Sequence, residues 1–344
     1  MDARVLDAPA AVRSRPRLGF LGVGWIGCHR MQVLHAADIA EVALVADTSA
    51  EVAQKAAALV PGASVAPDVE HLLDSDIDGL VIATPSALHA EQSLRALERG
   101  IAVFCQKPLG RNAAEVRAVV EGARRAGKPL GVDLSYRETE AMRLIRNLVA
   151  DGALGTVYDV DLVFHNAYGP DKAWFYDPAL SGGGCVMDLG VHLVDLALWV
   201  LGWPQVTGVS SRLFAAGQPI DGTFSGVEDF ASATIDLTGG ATIRLACSWR
   251  LHAGQEAVIS AAFHGTEGGA TLRNVDGSFY DFVAERTRGT SREILCAPPD
   301  AWGGRPLVSW AERLAAGAGF DAEAEHHIVV AETLDRIYGR PVPG

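Results

Sequence analysis

From Arg17 onward the chain alternates short, nearly continuous apolar runs with longer segments whose apolar positions recur every three or four residues. RLGFLGVG, EVALVAD, GLVIAT and IAVFC read as strands buried on both faces, with ASVA a shorter one and PLGVDL the last. Between them IGCHRMQVLHAA, VAQKAAALV, SALHAEQSLRALERG and AAEVRAVVEGARRAG carry helical spacing, and Gly100 supplies a C-cap. Such alternation predicts right-handed crossovers and a doubly wound parallel sheet, an α/β unit over residues 17–133. The rhythm then changes. TVYDVDLVFH, VTGVSSRLF, EDFASATIDL, ATIRLACSWR and AVISAAFHG are strand-like and separated by Gly-rich turns. DAEAEHHIVVAETLDRIYG closes the pattern as an amphipathic helix over about 321–338.

Composition narrows the class. The chain has 344 residues, long for one core and ample for two domains. A formal charge of −13 opposes a nucleic-acid partner and an anionic membrane surface, and solubility alone accounts for it. Five scattered cysteines form no C-x-x-C pair, so neither a zinc site nor a disulfide framework is indicated, and a reducing cytoplasm is the expected setting. No run is expected to approach the length of a membrane span. Residues 1–16 mix Asp, Arg, Pro and Ala and read as a disordered tail rather than a signal peptide.

GVGWIG (22–27) falls where the first strand gives way to the first helix. Gly22 permits a tight turn, Gly24 lets the backbone approach a pyrophosphate, and Gly27 lets helix and strand pack closely, with Trp25 and Ile26 opening the helix. Free N–H groups at that helix start favour the anion. Asp47 ends the second strand twenty residues beyond Gly27, placed to accept ribose hydroxyls and repel a 2′-phosphate. Thr48, Ser49 and Ala50 follow it, with no cation, so NAD is expected over NADP.

GGGCVMDLGVHLVD (182–195) places Asp188, His192 and Asp195 one helical turn apart in succession, after three flexible glycines. Carboxylates flanking an imidazole suit proton transfer. As metal ligands, Asp188 and His192 lack an apparent third partner, so no metal is expected.

Together with ATPSALHA (83–90) and CQKPLG (105–110), these motifs, in this order, resemble the glucose–fructose oxidoreductase, inositol dehydrogenase and MocA family from about Arg17 to Tyr338. The resemblance implies a Rossmann domain joined to an α+β domain (134–344) built on a large, open, mostly antiparallel sheet. In such proteins the outer face of that sheet commonly forms homodimers or homotetramers. The 188–201 helix would lie between the domains, with the C-terminal helix packed back on the first. By this resemblance Lys107 is the lysine of a Glu-Lys-Pro motif and would stabilise developing alkoxide charge, while Pro108 directs it through a bond for which the cis form is accessible. His192 matches the family's catalytic histidine, able to take and return a proton. Asp188 would bind a neighbouring substrate hydroxyl and help position the imidazole, and Asp195 would orient it from the other side. Thr84, Pro85 and His89 match a segment beside the cofactor, with Ser86 replacing its usual Asn. Gln106 replaces the usual Glu and removes a negative charge next to Lys107.

Substrate contacts are expected among His165, Asn166, Trp174, Tyr176, Arg137 and Arg250, each of which reads equally as a packing or surface residue. Without a dense Arg cluster, a neutral polyhydroxylated substrate is expected over a phosphorylated one. The function implied is NAD-dependent oxidation of a secondary hydroxyl of a sugar or cyclitol. A redox-neutral enzyme on the same scaffold is the alternative, and a non-catalytic NAD-binding regulator a further one.

Overall fold

The computed structural model describes residues 15–220 and 225–342; all but two residues of the expected tail lie outside that range. In the first domain the strands are β1 (Arg17–Leu21), β2 (Glu41–Ala46), β3 (Ser64–Val65), β4 (Gly79–Ile82), β5 (Ala102–Cys105) and β6 (Leu130–Val132). They pair in parallel in the order β3-β2-β1-β4-β5-β6, the doubly wound arrangement. Helices α1 (Trp25–Ala37), α2 (Ala50–Ala58), α3 (Val69–Leu73), α4 (Ser86–Glu98) and α5 (Ala113–Ala126) make the crossovers. β4 and β5 are buried throughout, because helices cover both sheet faces.

The second domain opens with α6 (Glu140–Ala150) and β7 (Val157–Asn166), followed by a short α7 (Pro178–Ser181) and α8 (Val191–Val200). Then come β8 (Val206–Ala215), β9 (Gln218–Pro219), β10 (Phe230–Leu237), β11 (Thr242–Ser248) and β12 (Ala257–Gly265). β13 (Gly269–Asn274), β14 (Phe282–Arg288) and β15 (Ser291–Cys296) complete a nine-stranded sheet, ordered β15-β14-β13-β12-β7-β11-β10-β8-β9. Its pairings are antiparallel except β7 with β11. Burial alternates along β10 and β12, so one face packs under α6 and α8 and the other lies open.

Two C-terminal helices, α9 (Arg305–Ala315) and α10 (His326–Ile337), tie the domains together. The sequence boundary assigned 305–315 to the second domain, yet α9 packs on the first sheet. Its Trp310 lies 5.8 Å from the Phe104 ring, in space that only Gly79 and Gly131 leave open: a Cβ at either would meet its indole at 2.6 or 2.9 Å. α10 lies against α5 and α8. Asp335 accepts from the Ala113 amide at the start of α5 (2.8 Å), and Glu332 pairs with Arg117.

One composition-based expectation is corrected. The helical run Pro178–Val200 is long and apolar enough to cross a bilayer by length and composition. Nearly all of it is buried in the protein, and its apolar character is that of a core helix.

Candidate active site

At the carboxyl end of β1 the glycine turn is sterically dictated. Gly22 has φ +83°, and a Cβ there would meet the Ala83 carbonyl at 2.6 Å; one on Gly27 would meet the Gly22 carbonyl at 2.1 Å. Gly24 differs, with nothing within 4 Å of a Cβ, so its backbone faces open space. It precedes α1 with no side-chain cap and no acid in the first turn. The helix's unsatisfied N–H groups are therefore open to an anion. Asp47 closes the turn, accepting from the Val23 amide (3.0 Å) and the Ser49 amide (2.9 Å). An uncapped helix start, an unobstructed glycine and an anchored carboxylate together fit the pyrophosphate and ribose of a dinucleotide.

Gly24, Trp25 and Ile26 line a cleft of about 880 Å³ between the domains, shared with Thr84, Pro85 and Lys107. Opposite, Asp188 and His192 form part of its wall. His89 braces the cofactor side from beneath, its two ring nitrogens each 2.7 Å from a carbonyl, of Thr84 and of Pro108. Thr84 Oγ1 donates to Gln92 (2.7 Å). The Lys107–Pro108 bond is cis, as expected.

Lys107 Nζ crosses the cleft to donate to Asp188 Oδ1 (2.7 Å) and to the Asp188 carbonyl (2.8 Å). The indole N–H of Trp249 donates to Asp188 Oδ2 at 3.1 Å. The carboxylate is thus held from two sides. His192, one turn further on, is 8% exposed, and its Nδ1 has no hydrogen-bond partner among the described residues. Burial, reinforced by the Lys107 charge, holds its pKa well below the usual histidine value, so the imidazole is neutral and able to accept a proton. The Tyr136 ring stands edge-on to it at 4.8 Å.

The glycine run, expected to be flexible, is instead packed tightly. A Cβ on Gly183 would meet Tyr338 Oη at 2.0 Å, and one on Gly184 the Glu228 carbonyl at 1.8 Å. Buried Glu228 accepts from the Gly184 and Val186 amides (3.0 and 2.9 Å) and from Tyr338 (2.8 Å). It thereby caps the π-helical turn Val186–Gly190 that carries Asp188, ahead of α8. Sequence reading missed Glu228, since an acid opening a strand gives no such signal. It also missed Trp249, which precedes Arg250 in a left-handed conformation (φ +60°).

Several expected contacts fall elsewhere. Asp195 does not reach His192; its buried carboxylate takes both the Nε (2.5 Å) and a terminal nitrogen of Arg137. Arg137 is accordingly committed to that pair, stacked over Trp203 at 5.1 Å, and does not line the cleft. His165 bonds Ser248 (2.7 Å) and stacks on Phe230. Asn166, Tyr176 and Arg250 also lie outside the lining, with Tyr176 donating to the Pro170 carbonyl (2.9 Å). Trp174 does line it, stacked on Phe175 at 3.8 Å. Gln106 donates to Asp133, which also accepts from Arg30 Nε (2.6 Å) and from Ser135. The neutral amide at position 106 thus faces a carboxylate, Asp133, that Arg30 already pairs.

Residues 17–134 match the family model described as an oxidoreductase family with an NAD-binding Rossmann fold, and residues 142–271 match the GFO/IDH/MocA C-terminal domain. The D-glucoside 3-dehydrogenase of Escherichia coli is 30% identical over 278 residues, covering 76% of this chain and 79% of that protein. Inositol 2-dehydrogenase 2 of Saccharopolyspora erythraea is 28% identical, covering 86% and 91%. Among solved structures, levoglucosan dehydrogenase with NADH and levoglucosan superposes with a TM-score of 0.81 at 20% identity, covering 94% and 96%, a likeness of fold.

Proposed function

The chain belongs to the GFO/IDH/MocA oxidoreductase family, carries that family's NAD-binding domain and is a sugar or polyol oxidoreductase; from that premise we propose which residues do its chemistry. His192 is the general base, Lys107 stabilises the alkoxide, and Asp188 orients both the lysine and the substrate. The observation that carries this reading is the convergence of Lys107 Nζ, Asp188 and a buried neutral His192 on one cleft with the glycine turn.

Gly24, Trp25, Ile26 and Asp47 would hold NAD, with Thr84, Pro85 and His89 supporting the cofactor loop. Bound NAD supplies the acceptor for the hydride removed from the carbinol carbon. The protein's own residues manage the proton. A secondary hydroxyl placed between Lys107 and His192 gives its proton to the imidazole, and the ammonium offsets the charge growing on oxygen. Asp188 fixes the lysine, and its carboxylate remains open to an adjacent hydroxyl. The substrate proposed is a neutral polyol. We also propose a homo-oligomer through the open sheet face, supported by small polar positions such as Ser232, Thr234 and Thr271.

NADH formation at 340 nm on a panel of glycosides, aldoses and inositols, with NAD and NADP supplied separately, tests this. Because burial lowers the His192 pKa, the base stays unprotonated below pH 6.5. The acid limb of kcat/KM should therefore lie well under 6.5, lower than an ordinary histidine would place it. His192→Ala should lose about 10²–10⁴-fold in kcat and abolish that limb. A limb at 6.5 or above, or full activity in the variant, would remove His192 from the role. Tightly retained NAD without net reduction would move the assignment to the redox-neutral alternative.

A further inference from the structure

Beyond the catalytic residues, the outer cleft is walled by aromatic rings on two sides. On one side they follow one another outward from the imidazole. His192 meets Tyr136 (4.8 Å between centroids), Tyr136 meets Trp302 (5.1 Å), and Trp302 meets Tyr280 (6.4 Å), whose ring is 56% exposed. Trp302 is fixed by donating to the Tyr280 carbonyl at 2.9 Å. On the other side Trp249, which holds Asp188, meets Phe175 (6.3 Å), and Phe175 carries Trp174 (3.8 Å). Tyr280 and Trp174 end these two rows, and both belong to the lining.

The charges of the same cleft favour a neutral occupant. Each lysine or arginine of the lining already faces a carboxylate: Arg30 with Asp133, Lys107 with Asp188, Lys172 with Asp171. Arg30 and Lys107 each hold a largely buried carboxylate, and Lys172 stands in solvent beside Asp171, so the described lining residues offer no cluster of cations for a sugar phosphate or a nucleotide sugar. A pyranose held by Lys107 and His192 covers the first step of the aromatic row. The outer rings would then be free to meet a substituent that the sugar carries toward the mouth.

We propose that the outer cleft is an aglycone subsite and that the substrate is a neutral glycoside bearing a flat apolar group, such as an aryl alcohol, rather than a free monosaccharide or cyclitol. This rests on the dehydrogenase reading for the sugar end and on the two aromatic walls for the aglycone end. Flat rings gain both apolar burial and offset or edge-to-face contact between such walls. Exposed aromatic side chains at a cleft mouth are a known mark of ligand recognition.

The test compares phenyl with methyl glycosides of glucose, galactose and xylose, in both anomers. Affinity is read by calorimetry with the protein holding NADH, and NADH formation from NAD is followed separately. At least one phenyl glycoside should bind about tenfold or more tightly than its methyl partner. Tyr280→Ala and Trp174→Ala should each pull that ratio toward one, whereas Tyr158→Ala, an exposed aromatic on the distant sheet, should not move it. The proposal is overturned if no phenyl glycoside outbinds its methyl partner, whether or not NADH forms. It is equally overturned if the ratio survives both cleft variants. A preserved binding preference without NADH formation from any sugar would instead count against the dehydrogenase reading alone.

Discussion

At the scale of single residues, position 106 shows how one neutral amide depends on its surroundings. Gln106 is 9% exposed and donates to an Asp133 carboxylate already engaged by Arg30 and Ser135. Gln106→Glu would set two carboxylates together with a single guanidinium between them. The incoming acid would keep its proton to higher pH than in the unfolded chain, because ionising both is unfavourable. The native state then binds more protons than the unfolded state, so the variant's stability falls as pH rises. At pH 7 the expected loss is roughly 1–3 kcal/mol, the cost of a spoiled buried hydrogen bond. It should shrink toward pH 5, and the kcat/KM profile should shift as Lys107 gains a titrating neighbour. Thermal melts across that range check the first point; a pH-independent deficit would show that the added carboxylate stays ionised. Asp195 teaches the complementary lesson. Its spacing from His192 put it on a plausible face, but spacing does not identify the partner, and the Arg137 guanidinium takes it.

At the scale of elements, the glycine turn separates folding from binding within six residues. Gly27→Ala would drive its Cβ into the Gly22 carbonyl, whereas Gly24→Ala meets nothing within 4 Å. The first should lower the melting temperature and NAD affinity together. The second should hold stability to within about 0.5 kcal/mol while weakening NAD binding, since the methyl group occupies the approach of the pyrophosphate. Calorimetric titration with NAD beside a thermal melt distinguishes them; parallel losses in both variants would contradict the assignment. These elements were the legible ones. Strands buried on both faces announce themselves as apolar runs, and β1, β2, β4 and β5 lie where such runs predicted. β13, β14 and β15 were not read, because GATLRN, FVAERTR and SREILC are short and strongly polar. The parallel pairing of β7 with β11 has no local signal at all, since partners far apart in the chain set it. Lys107, Asp188 and His192 were readable through motifs, while Glu228, Trp249 and Tyr136 act through tertiary contacts that no spacing encodes.

At the scale of the whole molecule, the cleft exists only while two domains keep their relation, and α10 is a principal tie. Asp335 is 4% exposed and sits at the start of α5, where its carboxylate satisfies the Ala113 amide and complements the helix dipole. Arg340 pairs with it at 3.2 Å and reaches on to the Gly182 carbonyl at the head of the glycine run. One carboxylate therefore links the first domain, the C-terminal helix and the segment leading to Asp188. Asp335→Ala would leave a buried amide without its acceptor and Arg340 without its counter-charge. The expected cost is about 1–3 kcal/mol in stability, read by urea titration. Asp335→Asn keeps an acceptor and should recover part of that loss. Because the same contact steadies the catalytic segment from outside the cleft, kcat should fall in the alanine variant while NAD affinity, set by the glycine turn and Asp47, stays close to that of the parent. Loss of NAD affinity in step with kcat would mean instead that α10 supports the first domain as a whole, not the seam between the two.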